Sequence, residues 1–118
     1  MNWQPIELDC DSFYDAIKSE DFPVFIDFWA AWCPPCRMMD PLFEIIAEKY
    51  KGKIVIRKLN TDLYRKISDK FKIAGIPTYV IYNKGREIWR KTGALSRKKL
   101  EEVFNDILDT SISEGDRL

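Results

Sequence analysis

Histidine is absent from the 118 residues. That excludes Cys–His catalysis, histidine proton shuttling and most zinc geometries, because structural zinc sites are built from Cys and His. Cysteine is scarce: there are 3, an odd number and too few for a disulfide scaffold, which points to a reducing compartment. Excess charge is missing too, since 19 basic residues balance 19 acidic ones, so no bulk attraction to nucleic acid or anionic membrane is expected. No apolar run approaches the roughly 20 residues of a membrane helix. The start, Met1-Asn2-Trp3-Gln4-Pro5, has neither a basic nor an apolar leader region, so no signal peptide is expected. The expectation is one cytoplasmic, monomeric domain over 1–118, without membrane or nucleic-acid partners. Its length and 46% apolar content suffice for a proper core.

What is present follows an alternating order. Pro5–Leu8 reads as a short strand, and Asp11 as the N-cap of a helix over Ser12–Ser19 with Phe13, Ala16 and Ile17 on one face. Val24–Ala30 is nearly continuous apolar sequence, the mark of a strand covered on both faces. A helix follows over Pro35–Tyr50, its stripe formed by Met39, Leu42, Phe43, Ile46, Ala47 and Tyr50. Pro41 inside it predicts a kink, since proline lacks an N–H and clashes with the carbonyl four residues back. Ile54–Leu59 is a third strand, and Tyr64, Ile67 and Phe71 mark a short helix. Thr78–Tyr82 and Glu87–Thr92 form a hairpin across a short turn, and Ser96 caps a last helix bearing Leu100, Val103, Phe104, Ile107 and Leu108. The core spans about 6–108, and the polar tail over 110–118 is expected to fray. The order βαβαβαββα predicts an α/β fold: a central mixed sheet with helices on both faces. Active sites in such sheets favour the carboxyl ends of parallel strands.

Cys33 and Cys36 lie just past one such end, in Trp29-Ala30-Ala31-Trp32-Cys33-Pro34-Pro35-Cys36-Arg37. Residues three apart at a helix start have Cβ atoms roughly 5–6 Å apart, close to what a disulfide accepts, so the pair can be dithiol or disulfide with little backbone movement. The rival is half of a zinc site, which one chain left with only Cys10 and no histidine cannot complete. Cys33, at the helix N-terminus, is expected to attack, because free N–H groups and the helix dipole favour a thiolate there. Part of that gain is lost, since a more stable thiolate is a weaker nucleophile. More of the rate must come from Cys36 attacking intramolecularly. Asp27, alone in an apolar strand, would be raised in pKa by burial and become a candidate proton acceptor. Cys10 reads as an ordinary buried or half-buried thiol, and Arg97-Lys98-Lys99 with Arg90 and Lys91 as a solvated basic face.

Phe28–Arg37, with Asp27 before and Pro41 after, resembles the active-site segment of the thioredoxin family. Lys58-Leu59-Asn60-Thr61-Asp62, Gly75-Ile76-Pro77-Thr78, Asn83-Lys84-Gly85 and Gly93-Ala94-Leu95-Ser96 resemble that family's later landmarks, in order and at its spacings. The resemblance covers residues 6–108. It implies the thioredoxin fold and a thiol–disulfide oxidoreductase that reduces protein disulfides through a redox-active Cys33–Cys36 pair, with no cofactor or metal. It also implies that Asp27 serves Cys36 as proton acceptor, that Lys58 lies near that acid, and that Pro77 is cis opposite the cysteines. Trp32, Gly75, Ile76, Gly93 and Ala94 would then form an apolar docking rim for disulfide-bearing proteins, and a thioredoxin reductase would return the electrons. Where the family usually has glycine, this chain has Pro34. With Pro35, the C-P-P-C form also resembles tryparedoxins and nucleoredoxins. The rival functions are an oxidase or isomerase and a redox-independent binding module.

Overall fold

The computed structural model describes the backbone of residues 1–116 and the side chains of residues 1–109. The elements are β1 (Ile6–Glu7), α1 (Cys10–Ile17), β2 (Val24–Trp29), α2 (Pro34–Met38), α3 (Asp40–Lys49), β3 (Val55–Asn60), α4 (Arg65–Lys70), β4 (Thr78–Asn83), β5 (Arg86–Thr92) and α5 (Arg97–Asp116). They build one five-stranded mixed sheet in the order β1-β3-β2-β4-β5. β2 is parallel to β3 and antiparallel to β4, so it is paired along both edges. Five of its six residues are buried, as a strand covered on both faces requires.

Alternation along the strands feeds two interiors. Val24, Ile26, Phe28, Val55, Leu59 and Val80 pack with Phe13 and Ile17 of α1 and Ile67 of α4. Phe25, Ile56, Tyr79 and Ile81 pack with Phe43, Ile46 and Ala47 of α3 and Leu100, Val103 and Phe104 of α5. The expected α/β layering is what the chain adopts. The β4–β5 turn is tighter than the four residues expected: Lys84 and Gly85 both take positive φ (53° and 79°), a two-residue connection whose twist suits the paired strands.

Three boundaries differ from the sequence reading. Helix α1 starts earlier, because Asp9 rather than Asp11 is its N-cap. The Asp9 carboxylate accepts the Ser12 N–H at 2.8 Å, and the Ser12 hydroxyl accepts the Asp9 N–H at 2.8 Å, satisfying two otherwise orphaned donors. The kink expected at Pro41 is a break: α2 stops at Met38 and α3 restarts at Asp40, since Pro41 has no N–H to bond back into the preceding turn. Finally, α5 continues through the expected tail to Asp116, with no proline or glycine before Gly115 to stop it. Residues 117–118 lie outside the described residues.

Candidate functional site

The carboxyl end of β2 delivers the chain into the N-terminus of α2. Cys33 is the N-cap, with extended backbone (φ −96°, ψ 103°) as the following proline demands, and Pro34 and Pro35 fill the first two helical positions. Cys33 Sγ accepts the Cys36 N–H at 3.3 Å. The two cysteines are joined as a disulfide with Cα atoms 5.3 Å apart. Both sulfur-bearing residues are buried against Ala30, Trp29 and Ile76. The prolines remove two donors from beside Cys33 at no loss of helical hydrogen bonds, because those N–H groups have no intrahelical partner in any sequence.

Asp27 is fully buried, and neither carboxyl oxygen has a hydrogen-bond partner among the described residues. Burial pushes its pKa up to about 8. The Lys58 charge works against that rise, and those of Asp40 and Glu7 add to it. At neutral pH this carboxyl is largely protonated, poised near the working pH as an acid–base group should be.

Lys58 pairs with Asp27 in the β2–β3 register, yet its ammonium is engaged elsewhere. Nζ lies 2.7 Å from Asp40, 3.7 Å from Glu7 and 4.5 Å from the centroid of the Trp29 ring. Asp40 and Glu7 escaped the sequence reading. Glu7 sits on a two-residue strand whose register nothing local specifies, whereas Asp40 had a visible signal as an acid directly before Pro41, where a helix could restart.

The Ile76–Pro77 peptide bond is cis, and Ile76 packs on the cysteine pair. Thr78 Oγ1 donates to the Gly75 carbonyl, Thr78 Oγ1 lies 3.0 Å from Thr92 Oγ1, and the Gly93 N–H donates to the Pro77 carbonyl at 2.8 Å. These bonds tie the loop carrying Gly75 and Ile76 to the end of β5. Gly93 needs its lack of a side chain, as its φ is 99°. Trp32 is 68% exposed. With Gly75 and Ile76 it lines a groove of about 410 Å³ that extends to Thr61, Asp62 and Arg65. Gly93 and Ala94 do not line that groove.

Two peripheral expectations change. Cys10 is exposed rather than buried, because the earlier helix start makes it the first residue of α1. The basic face is smaller than expected: Arg90 pairs with Glu87 at 2.7 Å and donates to the Phe71 and Lys72 carbonyls, and Arg97 pairs with Glu101 at 3.0 Å. Among the described residues no three His, Cys, Asp or Glu side chains converge as a metal site.

The chain matches the Thioredoxin family model over residues 4–106. The chain belongs to the thioredoxin family. It is 39% identical over 94 residues to thioredoxin of Porphyra purpurea (80% of this chain, 88% of that protein). Against thioredoxin of Alicyclobacillus acidocaldarius it is 40% identical over 97 residues (82% and 91%). It is 38% identical over 98 residues to the chloroplastic thioredoxin Y1 of Arabidopsis thaliana, covering 83% of this chain but only 57% of that protein's length. Its fold matches a mutant thioredoxin of Halobacterium salinarum with TM-score 0.81 at 23% identity (90% of this chain, 92% of that one). It also matches a chain from a structure on the thiol resolving mechanism of yeast mitochondrial 1-Cys peroxiredoxin via glutathione/thioredoxin systems, with TM-score 0.76 at 28% identity (86% and 94%). Like other thioredoxins, this one is a thiol–disulfide oxidoreductase of the disulfide-reductase kind. No helix among its described residues is long and apolar enough to cross a membrane.

Proposed function

We propose that this thioredoxin, as a monomer in a reducing cytoplasmic compartment, reduces disulfides in other proteins. Cys33 is the nucleophile, Cys36 the resolving thiol and Asp27 the proton acceptor. The observation that carries this reading is the bonded Cys33–Cys36 pair at the start of α2, with a buried carboxyl, without a hydrogen-bond partner among the described residues, on the strand that leads into it. The Cys33 thiolate attacks one sulfur of the target disulfide, forming a mixed disulfide and releasing a target thiolate. In molecules where Asp27 is ionised, Cys36 gives its proton to that carboxylate and attacks Cys33 Sγ. The mixed disulfide breaks, the second target thiolate leaves, and two electrons have passed from the dithiol to the target. Re-reduction by a dithiol donor, which family membership suggests is a thioredoxin reductase, runs the steps backward, with protonated Asp27 returning its proton to the departing Cys36.

Trp32, Gly75 and Ile76 offer an open surface for an extended target segment beside the sulfurs, and the bond from the Gly93 N–H to the Pro77 carbonyl ties the neighbouring turn of Gly93 and Ala94 to it. The exposed Cys10 thiol suits a compartment where stray thiols stay reduced. The test uses a disulfide-linked two-chain protein whose chains part on reduction. Cys33→Ser abolishes release, and Cys36→Ser accumulates a covalent mixed disulfide. Full turnover by either variant would sink the mechanism. Equilibration against glutathione separates a reductant from an oxidase or isomerase, which would settle at a markedly higher potential.

A further inference from the structure

Strand pairing aligns four titratable side chains in one row across the sheet. Glu7 of β1 pairs with Lys58 of β3, Lys58 with Asp27 of β2, and Asp27 with Tyr79 of β4. Directly opposed residues share a face of the sheet, so Lys58 is the cation that strand pairing sets beside the buried Asp27. An opposite charge within about 4–6 Å would hold a carboxyl in its ionised form. No direct pairing forms: among the described residues neither Asp27 oxygen has a hydrogen-bond partner, and the ion pairs Lys58 makes are with Glu7 and Asp40. The Lys58 ammonium instead lies over the Trp29 ring, between Asp40 at 2.7 Å and Glu7 at 3.7 Å. Those acids are 43% and 47% exposed, whereas Lys58 is 12% exposed. They therefore draw the ammonium toward the rim of the sheet. Asp40 can do so because the chain breaks at Met39 and restarts as α3 with Asp40 as its first residue.

We propose that Asp40, assisted by Glu7, holds the Lys58 ammonium off the Asp27 carboxyl, and is thereby a positioning residue that sets the pH at which Asp27 ionises. The consequence for catalysis rests on the reading of Asp27 as proton acceptor. Among the described residues the charged and titratable groups bearing on Asp27 are Lys58 from β3, Glu7 from β1, Tyr79 from β4 and Asp40 from α3. Tyr79 is buried and its phenol is held above the ordinary tyrosine range by burial first, so it adds no charge at neutral pH. With Asp40 neutralised, Lys58 is free to turn inward and pair with Asp27.

Loss of the Asp40 charge would lower the Asp27 midpoint even if Lys58 stayed still, so the two effects need separating. The Asp27 carboxyl is titrated by difference infrared or carbon-13 NMR in the oxidised protein, which requires no turnover. The variants are D40N, E7Q, K58M and K58M/D40N. Asp40 and Glu7 are surface residues whose substitution leaves the core intact. D40N is expected to lower the midpoint by about one pH unit or more. E7Q should act in the same sense but less, and D40N should act at most half as strongly in the K58M background. Equal shifts in the two backgrounds, no shift, or a rise would overturn the proposal. The pH profile of disulfide reduction is then compared for wild type and D40N. A profile that moves with the carboxyl supports both readings. A carboxyl that moves under an unmoved profile upholds the positioning by Asp40 and sinks instead the role of Asp27 as proton acceptor.

Discussion

The two faces of the sheet are filled in opposite spirit. On the α1/α4 side, Val24, Ile26 and Phe28 meet Phe13, Ile17, Leu59, Ile67 and Val80. The ionisable group among the buried residues of that cluster is Tyr82, whose phenol burial pushes up to about 12. On the α3/α5 side the same strand presents Phe25 to an apolar cluster, and two residues later a buried carboxylic acid. The difference follows the helices. The α1/α4 face is sealed by apolar stripes, whereas the covering helix on the other face is interrupted at Met39, beside the sulfurs. Both faces carry a packed core, and reactivity sits where the cover of one is interrupted.

The largest effect should come from breaking the sealed face. Phe13 is fully buried and meets Tyr14, Phe28 and Phe71 edge-on, with ring centroids 5.4, 5.9 and 5.1 Å away. Phe13→Ala is expected to cost about 3–5 kcal/mol in urea unfolding, a large share of the roughly 5–15 kcal/mol a domain has. Disulfide reduction per folded molecule should be unchanged. A parallel fall in that rate would break the proposed division between the faces.

On the reactive face the expected sign is reversed. The folded pKa of Asp27, about 8, lies above its ordinary value of 3.8 because of burial. Folding therefore favours the protonated form. Its contribution to stability is fully present below the ordinary value and is lost as pH rises toward 8. Asp27→Ala removes that dependence. Its stability relative to wild type should grow by about 1.4 kcal/mol per pH unit between those limits, accumulating to on the order of 4 kcal/mol between pH 4 and pH 7, while disulfide reduction slows. Chemical unfolding at a series of pH values reads this directly. Parallel curves for the two proteins would mean that Asp27 ionises as if in water.

Much of this organisation was legible in the residues, for local reasons. The apolar run Val24–Ala30 could only be a doubly covered strand, and Leu100, Val103 and Phe104 keep a helical period that the fold uses as expected. The cysteines could be placed because their spacing, the strand before and the helix after are all local. What stayed hidden depends on choices between near-equals or on long-range pairing. Asp9 and Asp11 are both credible caps, and only the reciprocal bonds with Ser12 decide for Asp9. Lys58 could be matched to a position near Asp27, but not to Asp40, 18 residues away in sequence. That contact exists only because Pro41 interrupts a helix and the strand register brings β3 beneath the restart.

The smallest expected effect lies at the mouth of the reactive face, where Pro34 stands between the sulfurs. Pro34 has no N–H to offer the Cys33 thiolate, so a glycine there would restore one donor at the helix N-terminus. Pro34→Gly is therefore expected to move the thiolate titration of the reduced protein, followed by ultraviolet absorbance, downward by a fraction of a pH unit. Stability should fall by about 0.4–1 kcal/mol, because glycine widens the unfolded ensemble that proline narrows. The two readouts separate two effects of one residue, since the donor acts on the folded thiolate and the ring acts on the unfolded chain. A titration that stays put or rises would mean that the added N–H does not reach Sγ, leaving the Cys36 N–H, 3.3 Å from Cys33 Sγ, as the donor that decides the thiolate.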